Sequence, residues 1–235
     1  MCNIVSNAAQ HTLGWYRARL GNITGSNVGL IMKKGKSKEF SDTAESYLYD
    51  VASDRTLNPS IVESDELFEE FLKVTSATSK AMAWGNEQEP NARELYSKIT
   101  GRKMVEVGSC KHPKIPFFAS SPDGFYYNEE SGERICLEIK CLGKKEYIKY
   151  LHLVKDGESL LKVNPQYYYQ CHAHMMVTQS IATDFVIYNP FQDIPMRIVR
   201  IYWNEDVARN IAERVGLANI FINSIIENRT IDRTA

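Results

Sequence analysis

Residues 121–141, SPDGFYYNEESGERICLEIKC, constrain the fold more than any other stretch of the chain. Pro122-Asp123 leads into two runs rich in aromatic and branched side chains. Between them, Asn128-Glu129-Glu130-Ser131-Gly132 reads as a hairpin connection. Side chains alternate along a strand, so Cys136, Glu138 and Lys140 share one face of a strand over 133–140. Ile135, Leu137 and Ile139 then face a core. Asp123 opens the partner strand over 123–127 and brings a second carboxylate toward Glu138 and Lys140.

The elements around this hairpin follow from periodicity and punctuation. Residues 11–32 read as a loop entering a helix, with Thr24 or Ser26 as candidate cap of a helix that starts near Asn27. Residues 33–38 form a basic loop, suited equally to solvent or to contact with a nucleic-acid backbone. Residues 42–57 are helical, with Ala44, Tyr47, Leu48 and Val51 at helical spacing, and Asn58-Pro59 ends them. A helical pattern over 66–84, with Leu67, Phe71, Val74 and Ala81 inward, breaks at Gly85. It resumes over 86–99, placing Glu89 and Pro90 in a first turn, and stops at Gly101. Short strands are expected over 103–108 and 115–120. Helices follow over 144–154 (Tyr147, Ile148 and Leu151 inward) and 165–178, then alternating strands over 182–188 and 196–203. Asn204 caps a long last helix with Val207, Ile211, Val215, Ala218, Phe221 and Ile225 as its apolar stripe. The fold class is α/β: a mixed central β-sheet flanked by helices. Without a visible linker, residues 1–235 read as one domain.

Several chemistries are excluded or weakly supported. No stretch of about 18 apolar residues predicts a membrane span, and the N-terminus lacks the pattern of a signal peptide. Cys2, Cys110, Cys136, Cys141 and Cys171 are scattered without a C-x-x-C pair, which fits reduced thiols in a cytosol. There is no phosphate-binding P-loop, no G-x-S-x-G and no H-E-x-x-H. His172 and His174 lie two apart on a helix, so they are expected in the core or on the surface and not as a ligand pair. The run Tyr167-Tyr168-Tyr169 suits base stacking, or a helix part buried and part exposed. Net charge is -1, which argues mildly against a surface coated in basic charge and is compatible with a nucleic-acid contact confined to a cleft.

The central stretch supports one chemistry better. Asp123, Glu138 and a main-chain carbonyl, for which Ile139 is the candidate, form an oxygen-rich site suited to Mg²⁺ or Mn²⁺. Such an ion polarises a phosphodiester and helps ionise water. Lys140 beside it can hold the attacking hydroxide or offset charge in the transition state. Near the N-terminus, Arg19, Ser26 and the start of a helix together suit a phosphate, although a capped helix with a surface arginine has the same pattern.

In the order Pro-Asp, hairpin, strand, Glu-x-Lys, the central stretch resembles the PD-(D/E)XK nucleases, whose core is that of the restriction endonucleases. Four blocks narrow the resemblance to the lambda exonuclease group, the YqaJ-like viral recombinases. They are RLGNITGS from Arg19, AMAWGNEQEPNAR from Ala81, SPDG from Ser121 with LEIK from Leu137, and QCHAHMMVT from Gln170. This resemblance implies that Glu89, Asp123, Glu138, Lys140 and Gln170 are catalytic, with metal held at Asp123, Glu138 and Ile139. It implies that Arg19, Ser26 and Ser121 receive a terminal 5′-phosphate. It further implies a Mg²⁺-dependent enzyme with one or two ions per site, degrading one strand of linear double-stranded DNA from the 5′ end to leave 3′ overhangs for recombination by strand annealing. A homotrimeric ring and a phage single-strand annealing protein as partner are implied too, in the cytoplasm of a bacterial host and encoded by a phage or prophage. The alternatives are a repair- or restriction-type endonuclease of the same superfamily and a DNA-end-binding module that does not cut. Pro90 departs from the helix pattern of the group, and the loop over 33–38 and the last forty residues match no motif of it.

Overall fold

The computed structural model describes residues 8–75 and 79–229. Cys2, the N-terminal signal reading and residues 76–78 of the expected 66–84 helix lie outside the described residues.

In chain order the elements are α1 Leu13–Arg19, β1 Ile23–Thr24, α2 Val28–Ile31, α3 Asp42–Arg55, α4 Pro59–Glu63, α5 Asp65–Thr75, α6 Lys80–Thr100, β2 Cys110–Lys111, β3 Phe118–Ser120, β4 Gly124–Tyr127, β5 Arg134–Cys141, α7 Lys144–Leu153, α8 Gly157–Val163, α9 Pro165–Thr178, β6 Ala182–Tyr188, β7 Met196–Tyr202 and α10 Glu205–Glu227. A four-stranded mixed sheet runs β4-β5-β6-β7, with β5 and β6 parallel and the other pairs antiparallel. The hairpin sits at its edge, with Gly124 opposite Leu137. A separate small sheet, β1-β3-β2, was not anticipated as a second layer.

The mixed sheet is covered on both faces. Ile135, Leu137 and Ile139 of β5 and Val186 of β6 pack with Ala92 and Tyr96 of α6. Phe185 and Ile187 of β6 pack with Tyr147 of α7, Leu160 of α8 and Cys171 and Met175 of α9. A third cluster joins α2, α3 and α10 through Ile31, Leu48, Ile211 and Val215. Because helices close both sides, β6 is buried at every position and does not alternate. Among the described residues no helix is long and apolar enough to cross a membrane.

Several local expectations change. Residues 13–19 are a helix, capped by the Thr12 hydroxyl accepting from Trp15 N–H. The next helix begins at Val28 after Asn27, and neither Thr24 nor Ser26 caps it. Gly85 does not break α6. Ser79 caps a 21-residue helix that runs through both Gly85 and Pro90 to Gly101, whose φ of 71° ends it. Glu89 therefore sits mid-helix. One interior glycine costs only about 1 kcal/mol relative to alanine, too little to stop a capped helix whose second half packs on the sheet. Phe68, not Leu67 or Val74, is the buried residue of α5, and Ile148 of α7 is exposed while Tyr150 is buried. The strand expected over 103–108 is a single bridge between Val105 and Phe125, and the one over 115–120 shrinks to β3. Lys38, from the basic loop, pairs with Asp42 and Glu45.

Asp184 is fully buried on β6. Arg200 grips it at 2.8 and 3.1 Å, Arg102 at 3.1 Å, and the Tyr96 hydroxyl donates to it at 2.5 Å. The cluster ties the C-terminal half of α6 to the sheet. Replacing one partner of a buried pair strands the others. Asp184→Ala is accordingly expected to lose about 3–5 kcal/mol in urea unfolding. A loss below about 1 kcal/mol, the range of a surface ion pair, contradicts this role.

Candidate active site

One cleft of about 500 Å³ is lined by Arg19, Ser26, Glu89, Ser121, Asp123, Glu138, Ile139, Lys140 and Gln170 together. These nine residues, spread over some 150 positions of sequence, are the site residues singled out above. They arrive on α1, the segment after β1, α6, the segment between β3 and β4, β5, and α9.

The acidic end is built around the tip of β5. Asp123 precedes β4; its N–H donates to the Leu137 carbonyl and its Oδ2 accepts from Ile139 N–H at 2.6 Å. The main chain thus fixes the carboxylate, and Ile139 meets it through its amide. Glu138 is only 2% exposed and points to α9. Its Oε1 lies 2.5 Å from Lys140 Nζ and its Oε2 lies 2.6 Å from His174 Nε2. The Glu138–Lys140 ion pair is therefore largely shielded from solvent. Lys140 also stands over the Tyr167 ring, 4.6 Å from its centre. Glu89 comes from the opposite face of the strand on α6 and pairs with Arg93, which also holds Glu106.

Three carboxylates crowded out of water cannot all keep an ordinary charge. Burial, with Glu138 and Glu89 nearby, pushes Asp123 well above the usual carboxylate range. Burial raises Glu89 as well, in spite of Arg93. Glu138 goes the other way: burial opposes its charge, but Lys140 and His174 prevail and hold it at about 2. Lys140 is raised despite burial because Glu138, Tyr167 and Asp123 favour its charge. Burial beside Glu89 and Asp123 pushes the Cys141 thiol up to about 12, so it is not a nucleophile at neutral pH.

Among the described residues, no group of three or more His, Cys, Asp or Glu side chains could hold an ion by itself. The carboxylates that line the cleft, Asp123 and Glu138, would leave the remaining positions to water and a main-chain carbonyl. That is how Mg²⁺ is usually held. The crowding that raises Asp123 is also what a divalent cation would relieve, so the residues fit such an ion.

The other end of the cleft is suited to an anion. Ser121 Oγ accepts from Trp15 Nε1–H at 3.1 Å and from Arg19 Nη1–H at 3.2 Å. Both lone pairs are engaged, which leaves the Ser121 hydroxyl proton to donate elsewhere. Arg19 stacks on Trp15, 4.2 Å from the ring centre. Ser26 is half-buried, its carbonyl accepting from Gln166 at 3.2 Å. Gln10 donates to the Pro122 carbonyl at 2.9 Å and fastens the turn between the two ends. Gln170 is buried on α9 against the cleft.

Two residues of the site escaped sequence reasoning. Trp15 holds both Arg19 and Ser121 and gave no signal beyond proximity to Arg19. His174 touches Glu138, and Ser120 Oγ lies 2.8 Å from its Nδ1. The usable signal was the spacing from Gln170, four residues and one helical turn earlier, whereas pairing His174 with His172 led away from it. His172 is a core residue: its Nδ1 meets the Tyr168 carbonyl and its ring packs on Tyr168.

A model of the YqaJ-like viral recombinase domain matches residues 14–180. No curated protein matches the chain. Among solved structures, an alkaline exonuclease from Laribacter hongkongensis is 27% identical, with a TM-score of 0.73 over 92% of this chain and 95% of that one. The same exonuclease in complex with dAMP gives 0.74 at the same identity and coverage. A phage related exonuclease from Haemophilus somnus shares the fold at 18% identity, with a TM-score of 0.61 over 89% and 96% of the two chains.

Proposed function

The chain belongs to the YqaJ-like viral recombinase family, and from that membership we propose that it is a Mg²⁺-dependent exonuclease acting on double-stranded DNA in the 5′→3′ direction. One observation carries the reading: a single cleft holds an anion-binding end at Arg19 and Ser121 and a carboxylate end at Asp123 and Glu138, two residues of chain apart at Ser121 and Asp123. That arrangement suits the terminal 5′-phosphate at one end and the adjacent phosphodiester at the other.

In this reading Arg19 donates to the terminal phosphate, Ser121 turns its free hydroxyl proton toward it, and Ser26 closes the pocket. Asp123 and Glu138, with the Ile139 main chain, hold one or two Mg²⁺ ions, and Mn²⁺ suits the same oxygens. The ion supplies a polarised phosphoryl group and a more acidic water when bound. Lys140, kept cationic by its neighbours, positions the attacking oxygen and offsets charge on the phosphoryl oxygens. Glu89, half-buried and raised, accepts a hydrogen bond from water at the opposite side of the site, and Gln170, buried, orders the α9 side. The product is a duplex with a 3′ single-stranded overhang, the substrate for a phage single-strand annealing protein in the cytoplasm of a bacterial host. A ring of three subunits fits a chain of net charge -1, since basic groups need only line its channel.

Linear and covalently closed circular duplexes separate this reading from its rivals. Linear DNA is expected to be degraded with Mg²⁺ while the closed circle survives. Cleavage of the circle points to an endonuclease, and an intact linear duplex in both Mg²⁺ and Mn²⁺ points to an end-binding module.

A further inference from the structure

We propose that His174 is a positioning residue for Glu138, its ring held in one orientation by Ser120 in a space that only glycine at position 25 leaves open; this rests on the ion-binding part of the function proposed above.

Glu138 Oε2 is 2.6 Å from His174 Nε2, and the His174 ring is 1% exposed. A carboxylate held charged by Lys140 can only accept, so Nε2 carries the proton. On the other side of the ring, Nδ1 lies 2.8 Å from Ser120 Oγ, which is 2% exposed. With Nε2 protonated, Nδ1 accepts and the Ser120 hydroxyl donates. Glu138 thereby sets the tautomer, and the Ser120 contact fixes the ring orientation, as the outer partners of metal-site side chains commonly do. The Ser120 hydroxyl in turn occupies space that any other residue at 25 would claim. A Cβ on Gly25 would lie 1.9 Å from Ser120 Oγ, 2.9 Å from Ser120 Cβ and 3.2 Å from Ala173 Cβ. Gly25, Ser120, His174 and Glu138 thus form a continuous buried line. Without it, the Glu138 carboxylate is held by Lys140 alone and is free to rotate toward that cation. With it, Oε2 is engaged from the α9 side while Oε1 meets Lys140 in the cleft. Ser120 also immediately precedes Ser121, so the support of Glu138 and the anion-binding end hang from successive residues at the end of β3.

Two measurements on the whole protein test this without any DNA. In metal-free protein with ¹⁵N-labelled histidine, the His174 ring is expected as the Nε2–H tautomer. Mn²⁺ binding by calorimetry is expected to weaken about 10–100-fold in His174→Phe. It should recover to within about threefold of wild type in His174→Gln, whose amide N–H can replace Nε2–H. Should the Phe variant not fold, Ser120→Ala removes only the hydroxyl and is expected to keep the Nε2–H tautomer but loosen the ring and weaken Mn²⁺ several-fold. Unchanged Mn²⁺ affinity in His174→Phe or Ser120→Ala overturns the proposal, as does a Gln variant no better than Phe. A wild-type protein that binds no Mn²⁺ overturns both this and the ion-dependent reading. Binding with the predicted dependence, but no cleavage of linear DNA, sinks the nuclease reading alone.

Discussion

Lys140→Ala is expected to slow hydrolysis of a linear duplex by about 10²–10³-fold, the usual cost of removing one preorganised charge from a transition state. DNA binding should change little. Lys140 Nζ sits 2.5 Å from Glu138 and over the Tyr167 ring, at the carboxylate end of the cleft, while the anion-binding end belongs to Arg19, Ser26 and Ser121. Glu138 keeps His174 as a partner, so the variant should fold. Arginine is not expected to restore the rate, because a planar guanidinium cannot place a point charge as an ammonium does. Single-turnover cleavage measured beside equilibrium DNA binding separates the two effects. A fully active alanine variant, or one that loses binding in step with cleavage, contradicts the role given to Lys140.

Asp123→Asn should make the protein both inactive and more stable. The carboxyl is buried, and Glu138 and Glu89 add to the penalty on its charge, so its folded pKa lies well above the unfolded value. For an acid raised in this way the folded state binds the proton more readily. Below the unfolded pKa there is no penalty; as pH rises toward and through the folded pKa the ionised group costs stability progressively. Asparagine avoids that cost and can still accept from Ile139 N–H. In the absence of divalent ions the variant is expected to gain about 0.5–2 kcal/mol at neutral pH, with the gain shrinking as the pH is lowered. Saturating Mg²⁺ should reverse the order, because only the wild type gains stability by binding the ion. Urea unfolding with chelator and with Mg²⁺, at two pH values, reads all of this. A less stable asparagine variant in chelator contradicts the account of carboxylate crowding.

The parts of the fold legible in sequence were those with a local physical signature. The hairpin has a turn between two alternating runs, and β4 and β5 pair antiparallel there. Pro165 at a first helical position and Asn204 at a cap gave the starts of α9 and α10. The misreadings came where tertiary contacts overrule local preference. Gly85 and Pro90 look like punctuation, but α6 continues because Ala92 and Tyr96 anchor its later turns on the sheet. Ile148 looks inward by period, yet α7 buries Tyr147 and Tyr150. The Thr12 cap was passed over because Trp15, Arg17 and Arg19 show no apolar period on so short a helix. In the cleft, the strand period placed Cys136, Glu138 and Lys140 on one side. What lay across from Glu138 depended on how α9 packs, which no local pattern reports, so His174 was expected only in the core or on the surface and its contact with Glu138 was not seen.

The central claim is that this cleft reads a phosphorylated 5′ DNA end and cuts beside it. Linear duplexes identical except for a 5′-phosphate or a 5′-hydroxyl test it most directly. With Mg²⁺, degradation is expected to start about tenfold or more faster on the phosphorylated end, since a pocket built from Arg19 and the free proton of Ser121 is left unpaired by the hydroxyl. Equal rates on the two ends, or faster attack on the hydroxyl end, would contradict it.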